Sequence, residues 1–93
     1  MAEKYDENDL EIISELLKAI AHPLRLKIIH ILLNKPFSVG ELAGACEIPS
    51  PVISGHLRKL NMRGILKKKR HGRQVYYRVD GSVYNNMMKR LSA

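Results

Sequence analysis

From His56 to Arg78 the chain carries nine Lys/Arg (Arg58, Lys59, Arg63, Lys67, Lys68, Lys69, Arg70, Arg73 and Arg78) and no acid. A merely solvated surface normally interleaves both signs. A run of one sign repels itself and costs stability unless a polyanion neutralises it. The chemistry implied is phosphate binding, with duplex expected over single strand. Single-strand binders stack bases on several exposed rings. Here there are five aromatics and no Trp; Tyr77 is assigned to a buried face, which leaves Tyr76 alone on the strands. Catalysis has little material. No nucleophile–base pair, Gly-rich phosphate loop or carboxylate pair is visible, and Asp80 is the only acid after Glu47. An enzyme is not expected. Cys46 is the single cysteine, which excludes an internal disulfide and a cysteine zinc cluster. It is either inert packing near the end of a small-residue helix or a redox switch.

The elements that position this charge are read from a chain of 93 residues with net charge +7. That length predicts one domain, 1–93, and burial of only about 60–65% of the unfolded surface, so oligomerisation is a natural way to add buried area. The charge is uneven. Residues 1–20 hold six acids against two lysines, and residues 21–93 hold fourteen Lys/Arg against three acids. The basic charge therefore belongs to the body of the domain. No apolar stretch approaches the roughly 20 residues needed to span a bilayer, and the acidic start does not read as a signal peptide. A cytoplasmic protein with no membrane partner is expected.

Four helical patterns come first. Asn8 and Glu11 read as a capping box for a helix over about 8–21, whose stripe is Leu10, Ile13, Leu17 and Ile20. His22-Pro23 stops it, and Pro23 opens a second helix with Leu24, Ile28, Ile31 and Leu32 on its buried side. Ser38-x-x-Glu41 is a cleaner box for a short helix from Val39 to Cys46. Ser50 suits an N-cap, with Pro51 at the first helical position of a fourth helix that runs to about Met62 and stops at Gly64. The last two helices and their turn have the form of a helix-turn-helix.

After Gly64 the period falls to two. Val75, Tyr77 and Val79 alternate with Gln74, Tyr76 and Arg78, and Ile65–Arg70 is the partner strand. A two-residue turn at His71-Gly72 is expected, pairing Arg70 with Arg73 and Leu66 with Tyr77. Helix returns over about 81–91, with Val83, Met87 and Leu91 spaced by four and Tyr84 and Met88 beside them. The fold class is mainly α with a β-hairpin wing, in the order α-α-α-α-β-β-α: a winged helix-turn-helix.

Read at 100° per residue, Ile53, Leu57 and Leu60 of the fourth helix fall within about 60° of one another. Pro51, Ser54, Gly55, Arg58, Lys59 and Met62 fall on the far side, which is polar, small and basic, as a helix lying in a major groove needs. Ser54 suits several base edges. Arg58 reaches either a guanine or a phosphate. His56 either contacts DNA or flanks the helix. Lys69, Arg70, His71 and Arg73 place cationic side chains at the hairpin tip, which suits phosphates or a narrow minor groove. His22 and Arg25 are expected to be structural, at a helix junction.

Several segments together resemble the ArsR/SmtB family of bacterial and archaeal repressors. Leu17-Lys18-Ala19-Ile20-Ala21-His22-Pro23-Leu24-Arg25 looks like its opening signature. Ser38-Val39-Gly40-Glu41-Leu42-Ala43 and Ser50-Pro51-Val52-Ile53-Ser54-Gly55-His56-Leu57-Arg58-Lys59-Leu60 look like its helix-turn-helix. Gly64-Ile65-Leu66 and Gly72-Arg73-Gln74-Val75-Tyr76-Tyr77-Arg78-Val79 look like its wing. The match covers roughly residues 16–80. It implies a dimeric DNA-binding repressor, with recognition-helix contacts at Ser50, Val52, Ser54, Gly55 and His56; many members carry His where this chain has Gly55. It also implies a dimer surface on the first and last helices, here Leu10, Ile13, Leu17, Val83, Tyr84, Met87 and Leu91. The family's metal sites have no match. Its Cys-x-Cys positions hold Ser38 and Gly40, and the last helix has no His or Cys after Asp80. No metal and no cofactor are expected.

The expectation is a homodimeric, sequence-specific regulator of double-stranded DNA, reading a pseudo-palindromic operator with a recognition helix at about 50–62 and a wing at about 65–79. Two alternatives stand beside it: a constitutive architectural DNA binder, and a winged-helix module for an acidic protein partner. The effector, the operator and the regulated genes are not written in the sequence.

Overall fold

The computed structural model describes residues 6–91, apart from the side chain of Tyr84. Its elements are α1 (Glu7–Ile20), α2 (Pro23–Leu32), β1 (Phe37–Ser38), α3 (Val39–Cys46), α4 (Ser50–Met62), β2 (Leu66–His71), β3 (Gln74–Val79) and α5 (Ser82–Leu91). Local chemistry sets most of the boundaries. The Asp6 carboxylate accepts from the Asn8 and Asp9 amides and caps α1. The expected Asn8–Glu11 box is therefore not used, because a better acceptor two residues earlier already satisfies the first turn. His22 is extended, as a residue before proline must be. Its Nδ1 accepts from the Leu24 amide, 3.2 Å away, so the residue that stops α1 also caps α2. At α3 both halves of the capping box are present. The Glu41 amide donates to Ser38 Oγ at 3.2 Å, and the Ser38 amide donates to Glu41 Oε1 at 2.9 Å.

The core lies where α2, α3 and α4 meet. Ile28, Leu42, Ile53, Leu57 and Leu60 are wholly buried. Leu32, Cys46, Ile65, Leu66 and Ala19 complete it. Burying a Leu or Ile side chain is worth about 1.5–3 kcal/mol. Three of the five wholly buried side chains come from α4, so its buried stripe fixes how it stands on the domain.

The sheet has three strands in the order β1-β3-β2, all antiparallel. The two-residue β1, which pairs Phe37 with Tyr77 and Ser38 with Tyr76, was not expected; so short an edge has no period to read. The hairpin register also differs. His71 pairs with Gln74 and Leu66 with Val79, so the loop is Gly72-Arg73 and not His71-Gly72. Backbone sterics explain the shift. Gly72 has φ +65°, and among the described non-glycine residues only Glu47 has positive φ. With Gly72 first in the loop, one positive φ suffices, the type II′ pattern. With His71 first and Gly72 second, a type I′ hairpin would need it at both. Arg70 therefore faces Val75 rather than Arg73, and Leu66 and Tyr77 share a face as diagonal neighbours.

Candidate nucleic-acid interface

Along α4, Ser50, Pro51, Val52, Arg58, Lys59 and Met62 are exposed, while Ser54, Gly55 and His56 are half-buried. The helical angle sets Ser54 and His56 on opposite flanks of the Ile53–Leu57–Leu60 stripe. Ser50 is not the N-cap. Pro49 holds that position, and its carbonyl accepts from the Val52 and Ile53 amides at 3.0 and 3.2 Å. Those are the donors a Ser50 cap would have taken, so the serine hydroxyl stays at the exposed start of the helix.

The alternation of β2 and β3 divides the wing's cations between two faces. Lys67, Lys69 and His71 share one face with Gln74, Tyr76 and Arg78; Lys68 and Arg70 share the other with Val75, Tyr77 and Val79. Lys69, His71, Tyr76 and Arg78, with Pro36, line one groove, and the His71 ring meets Tyr76 edge-on at 6.5 Å. Tyr76 and Arg78, which the period of two set on the outward face, were not among the expected contact residues, yet they line this groove with Lys69 and His71. Arg70 lies on the opposite face, and Arg73 stands in the turn itself.

Two of the nine cations in the basic run are held by acids of the same chain. Arg63 bonds Glu15 at 3.2 Å. Lys67 stands 3.9 Å from Asp80. The Ser82 amide and hydroxyl both donate to the Asp80 carboxylate and hold its pKa below the usual range. The other seven have no ion-pair partner among the described residues.

His56 turns back toward the junction of α1 and α2. Its Nδ1 accepts from Arg25 Nε at 3.0 Å. The same guanidinium donates through Nη1 to the Ala19 carbonyl on α1, also at 3.0 Å. The His22 and His56 ring centroids are 4.8 Å apart. Burial lowers the His56 pKa, and Arg25, His22 and Lys59 lower it further.

The arrangement offers a basic helix face and a basic two-sided wing. The chain is similar to known proteins in sequence and in fold. Residues 22–68 match the family model described as bacterial regulatory protein, arsR family. The transcriptional repressor PagR of Bacillus anthracis is 36% identical over 91 residues, covering 96% of this chain and 90% of PagR. The chain belongs to the arsR family. It is thus a winged helix-turn-helix transcriptional regulator and not an enzyme. The repressor SmtB of Mycobacterium tuberculosis is 39% identical over 75% of this chain, which spans about half, 52%, of that relative. A solved structure, the homodimeric winged helix-turn-helix DNA-binding domain Mb0332 of Mycobacterium bovis, superposes with a TM-score of 0.79 at 25% identity. It covers 98% of this chain and 88% of that one.

The positions where other arsR-family members are expected to hold a metal have other work here. Ser38 is buried in the capping box of α3, and Asp80 holds the start of α5. Among the described residues no group of three His, Cys, Asp or Glu side chains could hold a metal ion. Cys46 is buried in the core. Of the apolar residues expected at a dimer surface, Leu10, Leu17 and Leu91 are 45%, 49% and 51% exposed, whereas Ile13 is buried within the chain. Val83 packs against the core, and Met87 is half-buried. The Tyr84 side chain lies outside the described residues.

Proposed function

We propose that this arsR-family regulator is a cytoplasmic homodimer that represses transcription by binding a pseudo-palindromic duplex operator, with residues 1–93 acting as one domain. The observation that carries the reading is the continuity of cations that make no ion pair among the described residues: Arg58 and Lys59 on α4, then Lys68, Lys69, Arg70, Arg73 and Arg78 on the wing. In this reading α4 enters a major groove and Ser50, Val52, Ser54, Gly55, Arg58 and Lys59 approach the bases and flanking phosphates. Lys69, Arg70, His71 and Arg73 hold the backbone beside it. The exposed leucines of α1 and α5 support a second copy as partner. Two-fold symmetry then sets half-sites about 34–36 Å apart, or a multiple of that spacing. No helix among the described residues is long and apolar enough to cross a membrane.

Binding-site selection from random duplex DNA at fixed salt tests this. Recovery of a palindrome supports the regulator reading. Uniform weak binding replaces it with an architectural DNA binder, and no binding with a module for an acidic protein partner.

A further inference from the structure

The contact between Arg25 and His56 joins three elements at one point. Arg25 leaves the first turn of α2, bonds the Ala19 carbonyl near the end of α1, and bonds the Nδ1 of a side chain in the middle of α4. An imidazole nitrogen that accepts from a guanidinium must be unprotonated, so the proton of His56 sits on Nε2. We propose that Arg25 and His56 are a positioning pair that pins α4 to the α1–α2 junction, and that tight DNA binding requires His56 to be neutral. The inference rests on the reading of α4 as the groove-entering helix.

The cations facing this point favour that state. From α2 come Arg25 and the His22 ring at its N-cap, and from α4 comes Lys59. The adjoining groove is lined by Glu15 and Lys18 of α1, with Lys59 and Arg63. Its one acid, Glu15, is bonded to Arg63 and Lys18. A proton on His56 would remove Arg25's acceptor and add a cation among Arg25, Lys59 and His22, and among the described residues lining the groove no carboxylate is left unpaired. The sign follows. A histidine whose pKa is lowered in the folded state contributes fully above its ordinary value of about 6.5, and the contribution is lost as pH falls through the lowered value. The wing carries an imidazole of its own, His71, on the face it shares with Lys69, Tyr76 and Arg78.

The test uses a duplex selected by this 93-residue chain at about pH 8 and a His71→Gln background that removes the wing's imidazole. In that background His56→Asn keeps an acceptor oxygen close to the position of Nδ1 but cannot protonate. It should retain more affinity at about pH 8 than His56→Ala does, and lack the acid loss. Between about pH 8 and about pH 5 the parent should lose severalfold more affinity than His56→Asn. His56→Ala should bind more weakly than His56→Asn at both pH values; if it fails to fold, the comparison of parent with His56→Asn still decides. A histidine NMR titration without DNA supplies the second arm. The His56 resonance should titrate below the ordinary histidine value of about 6.5, and Arg25→Gln should move it upward. Equal pH profiles for parent and His56→Asn, or a His56 titration indifferent to Arg25→Gln, overturn the proposal. If no duplex is bound at about pH 8, the DNA reading fails, and with it the DNA requirement proposed here, while the NMR titration still decides the pin.

Discussion

Asp9 on α1 and Arg90 on α5 form an ion pair within one chain. The pair ties the first helix to the last, 81 residues apart in sequence, and makes them one surface. Leu10, Leu17 and Leu91 remain about half exposed on these two helices. The radius of gyration, 15.2 Å, exceeds the roughly 12 Å expected of a compact chain this long. An elongated small domain with exposed leucines at both ends of its sequence is poorly buried on its own, and a second copy would cover them.

The first prediction follows from that surface. Leu17→Glu should yield a folded monomer, because the side chain is already half in solvent and the new charge meets water rather than core. Operator affinity should fall steeply, since each monomer reads only a half-site. Sedimentation at micromolar concentration checks it. Wild-type protein that sediments as a monomer contradicts the dimer.

The second prediction concerns α3, which positions α4. Ser38 is 7% exposed, and both of its capping hydrogen bonds are made. Ser38→Ala should cost about 1 kcal/mol of stability, the usual loss for an N-cap serine. Glu41→Gln should cost less, because the amide oxygen can still accept from the Ser38 amide. Urea midpoints of the two variants decide between them.

Much of this fold was legible because its signals are local. Proline, serine and glutamate at fixed spacing mark α2 and α3 without reference to anything distant, and α3 was expected at the bounds it has. The wing's register was less legible, since it turned on whether His71 or Gly72 leads the loop, a question of φ that composition alone does not answer. The contact at His56 was hidden for another reason. Arg25 lies 31 residues away, and no period along α4 distinguishes a half-buried histidine aimed at another helix from one aimed at a groove. The slip of two residues left the faces as expected, because side chains alternate with a period of two.

A third prediction separates stability from binding at Gly55. A Cβ built there meets no atom within 4 Å, and glycine within a helix costs about 1 kcal/mol against alanine. Gly55→Ala should therefore stabilise the free protein, raising its melting temperature by about 4–8 °C per kcal/mol for a domain of this size. If the open space is where the groove floor approaches, the same change should weaken operator binding. Calorimetry of the free protein and titration of the complex give the two signs. Gly55→Ala that stabilises and binds normally would remove Gly55 from the interface.

The last prediction separates readout from anchoring. Ser54 stands on a flank of α4, while Arg73 occupies the wing's turn. A base contact in the major groove is worth about 1–3 kcal/mol against the wrong base. A phosphate contact carries no sequence information but adds about 0.9 to the salt slope. Ser54→Ala should therefore erode the preference for operator over scrambled duplex and leave the slope unchanged. Arg73→Ala should weaken both duplexes about equally and lower the slope by about 1 per subunit. Arg63→Ala is the internal control. Its guanidinium is bonded to Glu15, so its loss should leave the slope nearly unchanged despite its place in the basic run. Arg58 reaches either partner, and its variant's slope assigns it: a drop of about 1 means phosphate, and lost discrimination at constant slope means a base. Paired titrations of operator and scrambled duplex at several salt concentrations supply all four answers. If Arg73→Ala abolishes discrimination while Ser54→Ala preserves it, the assignment is reversed, and the wing reads the minor groove by its width.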